Sequence, residues 1–223
     1  MSPNPTLPHG GLLPATLPIF PIAGVLLLPR GRLPLNVFEP RYLALVDDVL
    51  ATSDRLIGMI QPLDPATTDP TPAVYPVGCA GRITEFTETD DGRYLIALGG
   101  ISRFRIDGEL AATSRGYRRV VPDWHDFPGD SEPAGGWTFD RERLLQGLRA
   151  YFKLHEIAAD WSVITSAPDE RLITSLAMIC PFEPAEKQAL LEANTLADRA
   201  NRMTALIEMA IADRGTGEPS ARH

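Results

Sequence analysis

The chain has 223 residues, of which 44% are hydrophobic and 22% are charged. This length suffices for one large or two small domains, and the composition is that of a globular protein that builds a core without disulfide or metal staples. The formal net charge of −8 and the absence of a basic stripe argue against a general nucleic-acid binder.

The cysteines and the N-terminal region predict a cytoplasmic protein. Cys79 and Cys180 form no C-x-x-C motif, and their apolar or small neighbours favour buried, reduced thiols. The N-terminus lacks a basic region, and its longest apolar run, Val25–Leu28, is too short for a signal peptide or a membrane span. We therefore expect neither secretion nor membrane insertion.

The N-terminal half is predicted to be rich in β-strands. Residues 1–16 are rich in proline and lack periodicity, so we expect a disordered leader. Strands are then expected in three apolar or alternating segments punctuated by prolines: Leu17–Ile22, Gly24–Leu28 and Leu33–Val37. A helix is predicted to begin at Pro40, because apolar residues recur at helical spacing from Tyr42 onward.

Further strands complete a predicted β domain over residues 17–125. They are Leu56–Ile60, a long strand Val74–Thr89 bent near Gly78 and Gly81, the strand Arg93–Leu98 joined to it by the Asp91-Gly92 hairpin, a strand after a turn at Gly99-Gly100, and Tyr117–Trp124. Residues 62–73 are expected to form a loop. Helices do not alternate with these strands, so a small, mostly antiparallel barrel or sandwich with one inserted helix is predicted.

The C-terminal part is predicted to be helical. Residues 126–136 are rich in Gly, Pro and Asp, which indicates a linker. Beyond it, apolar residues recur with a period of 3.6, so residues 137–214 should form a bundle of four or five helices, followed by a flexible tail at 215–223. The predicted fold class is therefore α+β.

Motifs for common enzymatic chemistry are absent from the sequence. No Gly-Lys pair exists for a phosphate-binding loop, and no G-x-S-x-G motif exists for a hydrolase serine. His155-Glu156 begins like a zinc-protease helix, but Ala159 stands where the second histidine is needed. We predict no catalytic residues, no metal site, no cofactor and no enzymatic activity.

Two other classes of function stay open. RNA binding would need clusters of arginines, for which Arg103 with Arg105, and Arg115 with Arg118 and Arg119, are the candidates. A small-molecule site or a concealed enzyme would centre on His125 beside Trp124. The acidic composition makes nucleic acid the less favoured partner.

The segment Phe38-Glu39-Pro40-Arg41-Tyr42 joins a predicted strand to a predicted helix. Its aromatic residues could border a groove for extended polypeptide, so Phe38, Glu39, Arg41 and Tyr42 are the candidate substrate-binding residues. A purely structural corner is the competing interpretation. We expect Phe38 to contribute mainly to the core and Tyr42, with a wet hydroxyl, mainly to binding. Proline-flanked strands near Leu17–Leu28 and Leu33–Val37 are candidate edges for strand pairing.

Several motifs, in this order, resemble the Lon protease N-terminal domain family. The resemblance covers about residues 17–212 and rests on the spacing of Leu17-Pro18-Ile19-Phe20-Pro21, Leu33-Pro34-Leu35, Phe38-Glu39-Pro40-Arg41-Tyr42, Val77-Gly78, Asp91-Gly92-Arg93-Tyr94, Gly100-Ile101, Arg103-Phe104, Asp160-Trp161, Pro181-Phe182 and Glu186-Lys187-Gln188-Ala189-Leu190-Leu191-Glu192. Its helical part is similar to that of short, standalone bacterial members.

The resemblance implies a PUA-like β-barrel followed by a helical bundle. It also implies recognition of unfolded or specific protein segments, as an adaptor or a holder of unfolded polypeptide, with a protease or a chaperone as candidate partners. The ATPase and peptidase modules that follow this domain in full-length Lon have no counterpart in the sequence. We therefore expect binding without catalysis.

Overall fold

The computed structural model describes residues 13–131 and 138–215. This part of the chain contains six strands and six α-helices, which confirms the α+β class. The strands are β1 (Leu17–Pro21), β2 (Arg32–Val37), β3 (Leu56–Ile60), β4 (Val77–Glu88), β5 (Tyr94–Glu109) and β6 (Arg118–Asp123). The helices are α1 (Pro40–Leu50), α2 (Arg141–Leu154), α3 (Trp161–Ser166), α4 (Asp169–Ile179), α5 (Pro184–Leu191) and α6 (Leu196–Gly215).

The strands form one mixed sheet in the order β2-β5-β4-β3-β1-β6. Only the β1–β3 pair is parallel among these pairings, so the predicted antiparallel character is confirmed. The C-terminal part of the long strand β5, residues 105–109, also pairs with β6. Five strands are therefore joined in a closed series of pairings, and β2 lies outside it, paired only with β5 in the described sheet.

The Asp91-Gly92 turn joins β4 to β5 as predicted. Gly92 has a φ of 77°, the left-handed conformation that such a turn requires and that glycine adopts without strain. The predicted bend in β4 lies at an irregularity in its pairing with β5, between Ala80 and Gly81. The strand begins at Val77 rather than Val74.

The turn expected at Gly99-Gly100 is wrong, because β5 runs straight through both residues. A Cβ atom at position 100 would lie 1.9 Å from the carbonyl oxygen of Leu28. The Gly100 N–H donates to the Gly31 carbonyl at 2.8 Å, and its carbonyl accepts from the Arg30 N–H at 2.9 Å. Gly100 thus allows the segment before β2 to lie directly against β5.

That segment is not the strand predicted at Gly24–Leu28. It has no regular secondary structure, although Leu26, Leu27 and Leu28 are all buried. Their apolar run reflects burial in a loop, which periodicity cannot distinguish from a short buried strand.

The sheet and the helices share a single large hydrophobic cluster. It contains α1 residues such as Tyr42 and Val46 together with α2, α4 and α6 residues such as Leu148, Ile173 and Met203. A smaller cluster around Phe104 and Trp124 fills the space among β1, β3, β4, β5 and β6. The bundle therefore packs on the β region through a continuous apolar core.

The start of the predicted linker packs against the rest of the protein. Phe127 is buried, and residues 128–131 form a short 3-10 turn. A linker over 126–136 is expected to be exposed, but Phe127 and the Asp130 side chain are buried, because Gly and Pro here shape a tight turn rather than a free connection. Residues 132–136 lie outside the described residues, and the domain division at 126–136 stays a prediction.

The end of the predicted leader is also ordered. Leu13 is buried, and the Trp124 indole N–H donates to the Pro14 carbonyl at 3.1 Å. Disorder was predicted there because the segment lacks periodicity, but these two tertiary contacts hold it in place. Residues 1–12 of the leader and 216–223 of the predicted tail lie outside the described residues.

One buried ion pair connects the sheet, the 3-10 turn and the bundle. Arg103 of β5 pairs with Asp130 at 2.8 Å, and the two side chains are 4% and 8% exposed. The Arg103 guanidinium also donates to the carbonyls of Leu191 at 2.9 Å and Ala193 at 2.6 Å, at the end of α5. The Phe127 ring lies 4.1 Å from the guanidinium carbon.

Replacing Asp130 should destabilise the whole fold. In Asp130→Ala the buried Arg103 charge loses its carboxylate, so the free energy of unfolding should fall by about 3–5 kcal/mol, as for other broken buried pairs. Asp126→Ala is the matched control, because Asp126 pairs with Arg105 where both side chains are about 40% exposed. That change should cost at most about 1 kcal/mol. Urea denaturation of both variants measures the difference, and equal stabilities would contradict it.

Candidate functional site

The structure reverses the roles expected for the two aromatic residues at the β2–α1 corner. Phe38, expected in the core, is 64% exposed. Tyr42, expected to bind, is only 5% exposed, and its ring lies 3.9 Å from the ring of Phe20. The reason is the position of Tyr42 in the first inward turn of α1, whereas Phe38 precedes the helix. Of the two aromatics, Phe38 is therefore the one available to a ligand.

Glu39 and Arg41 fix the corner. The Arg41 Nε and Nη2 atoms donate to Glu39 Oε2 at 3.1 and 2.9 Å, and Nη1 donates to the Pro70 carbonyl in the 62–73 loop. The Arg41 guanidinium carbon lies 4.5 Å from the centre of the Tyr42 ring. Burial raises the pKa of the Tyr42 hydroxyl. These contacts hold the loop, the strand end and the helix start in one arrangement.

Leu95 of β5 adds a second exposed apolar side chain near this corner. It is 46% exposed and pairs with Asn36. Residues paired across two strands face the same side of a sheet, so Leu95 shares a face with Asn36, which lies two residues before Phe38. We call Phe38 and Leu95 the apolar patch.

The strand β2 leaves one edge of the sheet without a partner among the described strands. Leu17–Leu28, the other predicted edge, is not one, because β1 lies between β3 and β6. Charge and proline commonly protect such edges from uncontrolled pairing. β2 has both, since Pro34 lacks an N–H and Arg32 lies at its start.

The direction of the β2 backbone groups follows from its partner strand. The Ala97 carbonyl accepts from the Thr84 hydroxyl of β4 at 3.1 Å, so Ala97 directs its backbone groups toward β4. Residues of an antiparallel strand alternate in direction, and Ala97 lies opposite Pro34. The backbone groups of Arg32, Pro34 and Asn36 therefore point to the open edge. Two N–H donors and three carbonyl acceptors are available there.

The arginines considered for RNA binding are mostly neutralised by neighbouring carboxylates. Arg103 is buried against Asp130, Arg105 pairs with Asp126, and Arg118 pairs with Glu109. Arg115 pairs with both Asp47 and Asp48. Arg119 has no such partner within the described part of the chain, but one arginine is not a phosphate-binding cluster.

The residues considered for small-molecule chemistry have structural partners. Trp124 is buried and packs edge-on against Phe104. His125 is exposed and lies 2.8 Å from an Asp123 carboxylate oxygen through Nδ1. Within residues 13–131 and 138–215, no three His, Cys, Asp or Glu side chains are grouped as a metal site.

Both cysteines are buried and unpaired, as predicted. Burial raises the pKa of the Cys180 thiol to about 12 and also raises that of Cys79, which opposes nucleophilic chemistry at both positions. In the described part of the chain, no helix combines the length and the apolar character that crossing a bilayer requires.

Two features of the surface were missed by sequence reasoning. Leu95 was assigned to a strand but not to a site, and its position opposite Asn36, two residues before Phe38, arises only from the β2–β5 register. The arginines of a second surface region were not grouped, since Arg30 with Arg32, Arg82, and Arg171 come from three widely separated segments. Neither grouping has a local sequence signal.

Comparison with known proteins identifies relatives of this fold. A family model described as the ATP-dependent protease La (LON) substrate-binding domain matches residues 16–209. The structure of a Lon N-terminal domain protein from Xanthomonas campestris has a TM-score of 0.58 and 25% identity, covering 85% of this chain and 97% of that one. The N-terminal domain of Mycobacterium avium complex Lon protease has a TM-score of 0.57, at 14% identity, and covers 86% of this chain and 98% of that one.

The curated relatives are much longer proteins. Lon protease 2 of Sorangium cellulosum is 33% identical over 92 residues, which are 41% of this chain and 11% of that protein. Lon protease of Flavobacterium johnsoniae is 24% identical over 192 residues, which are 84% of this chain and 23% of that protein. The matched regions thus span a quarter or less of these relatives, and the family model covers most of this chain. The chain belongs to the family of ATP-dependent protease La (LON) substrate-binding domains.

Proposed function

We propose that this protein binds extended polypeptide segments along the open edge of β2, without catalysing a reaction on them. The exposed Phe38 at the end of an unpaired edge strand carries this proposal. A segment that adds to the edge gains main-chain hydrogen bonds from Arg32 and Asn36, and its apolar side chains cover Phe38 and Leu95. The family description as a substrate-binding domain supports the same role.

The corner residues have separate roles in this proposal. Phe38 contacts the bound segment, whereas Tyr42, Glu39 and Arg41 keep the β2–α1 corner in place through their contacts with Phe20 and the Pro70 carbonyl. Unfolded or specific protein segments are the ligands, and a protease or a chaperone that receives them is the natural partner of such an adaptor. Relatives named Lon protease support a link to proteolysis.

We further propose that the closed series β5-β4-β3-β1-β6 is a PUA-like barrel. The support is the additional β5–β6 pairing and the small apolar cluster that these strands enclose. The buried, unpaired cysteines are typical of a reducing compartment and support a cytoplasmic location.

Loss of the exposed aromatic side chain should weaken polypeptide binding without unfolding the protein. Phe38→Ala should lower the affinity for a permanently unfolded, fluorescently labelled model protein several-fold, and change the free energy of unfolding by less than about 0.5 kcal/mol. Met209→Ala is the matched control, because Met209 is also mostly exposed but lies on α6. Fluorescence anisotropy measures binding, and an unchanged affinity for Phe38→Ala would contradict the proposed site.

Loss of the buried aromatic side chain should have the opposite signature. Tyr42→Ala removes a ring packed on Phe20 in the core, so it should lower the free energy of unfolding by about 3–5 kcal/mol. Thermal denaturation followed by circular dichroism measures this effect. A melting temperature equal to that of the unmodified protein would show that Tyr42 does not support the corner.

The purified chain should neither hydrolyse ATP nor degrade casein. No Gly-Lys pair exists in the sequence for a phosphate-binding loop, and the family match is to a substrate-binding domain. Phosphate release and casein fluorescence assays measure the two activities. Activity that co-elutes with the protein through two successive columns would contradict the non-enzymatic proposal.

A further inference from the structure

Two cavities adjoin the start of β2. One, of about 470 Å³, lies between the segment before β2 and α4 and is lined by Arg30, Arg32, Arg171 and Ile179 among others. The other, of about 370 Å³, lies over β4 and β5 and is lined by Arg30, Arg32, Arg82 and Gly99 among others. Arg30, Gly31 and Arg32 form a wall common to both cavities. We call the two together the arginine groove.

The arginine groove has excess positive charge in an acidic protein. Arg30 pairs with Glu170 and Arg32 with Glu85, each at 2.7 Å, so these charges are compensated. For Arg82 and Arg171, no ion pair with another described residue is present. The Nε atom of Arg82 is buried and lacks a hydrogen-bond partner in the described structure. Two arginines in the groove thus remain available, although the chain carries a net charge of −8.

The part of the groove over β4 and β5 lies on the same face of the sheet as Leu95 of the apolar patch. Leu95 and Gly99 are four residues apart on β5 and therefore share a face. Gly99 lines the cavity over β4 and β5, and it pairs with Arg82 of β4 and Arg32 of β2. The patch lies at one end of β2 and the groove at the other.

The length of β2 sets the spacing between the two features. A strand rises about 3.4 Å per residue, so the six residues of β2 span roughly 20 Å. A segment paired antiparallel with β2 runs from Phe38 toward Arg32. Its N-terminal part would then cover the apolar patch, and its residues about five to seven positions later would reach the arginine groove.

We propose that the preferred ligand is an extended polypeptide segment with an apolar residue followed, about five to seven residues later, by acidic residues. This inference rests on the proposed polypeptide binding and specifies its ligand. The apolar residue packs on Phe38 and Leu95, and the carboxylates pair with Arg82 and Arg171. An acidic segment fits better than RNA, because the open edge of β2 offers strand hydrogen bonds and an apolar contact at this spacing.

Two peptides test the charge preference. Both are labelled ten-residue peptides with leucine at position 2 and no other charges; one has Glu-Asp at positions 8 and 9, and the other has Gln-Asn. At low salt the acidic peptide should bind about three- to tenfold more tightly, as expected for two partly exposed ion pairs, and the difference should shrink at high salt. Fluorescence anisotropy measures both affinities. Equal affinities would overturn this inference, and binding of neither peptide would overturn the proposed function itself.

Charge substitutions assign the preference to the groove. The double variant Arg82→Gln with Arg171→Gln should bind both peptides equally, at the affinity of the unmodified protein for the neutral peptide. The control Arg115→Gln with Arg143→Gln makes the same change in net charge at exposed positions outside the groove and should keep the preference. The single variant Arg171→Gln, at an exposed residue, should reduce the preference even if Arg82 proves necessary for folding.

RNA provides the competing outcome. An unlabelled single-stranded RNA should not displace the acidic peptide at concentrations similar to the peptide dissociation constant. Displacement by RNA that is lost in the Arg82→Gln, Arg171→Gln variant would assign the groove to nucleic acid and overturn the inference. A preference that survives in this double variant would also overturn it.

Discussion

The burial of Arg103 is the constraint on which the arrangement of this protein depends. A guanidinium buried to this degree is costly unless every face of it is satisfied. Asp130 neutralises the charge, the Leu191 and Ala193 carbonyls accept two further hydrogen bonds, and Phe127 covers the flat face. Because these partners come from the 3-10 turn and the end of α5, one side chain fixes the bundle against β5.

This fixed arrangement determines where the open edge lies. The segment before β2 lies against Gly100, whose N–H and carbonyl both form hydrogen bonds to it. The strand β2 then pairs with residues 94–99 of β5. The bundle contributes α4 to one side of the arginine groove, and the sheet contributes β4 and β5 to the other. The strand β2, which lies between the apolar patch and the groove, therefore sets their separation.

Local sequence patterns predicted most of the elements but not their relations in space. Pro40 marked the start of α1, because proline fixes φ near the helical value, and Asp91-Gly92 marked the β4–β5 turn, because glycine adopts the left-handed conformation without strain. Gly99-Gly100 was misassigned as a turn because the close approach of Leu28 is a tertiary contact. The roles of Phe38 and Tyr42 were reversed for a related reason. Burial depends on what packs against a residue, and Phe20, the partner of Tyr42, lies on β1, which is distant in the sequence from α1. The arginine groove gathers four distant segments and has no local pattern at all.

Protection of the β2 backbone amides tests the central claim, strand addition at the open edge, most directly. Hydrogen–deuterium exchange followed by nuclear magnetic resonance can report the Arg32 and Asn36 amides individually, with and without a saturating unfolded polypeptide. Both amides point to the open edge, so their exchange should slow at least tenfold on binding, while that of the Leu35 amide, which faces β5, should change little. Binding that leaves the exchange of Arg32 and Asn36 unchanged would contradict the account.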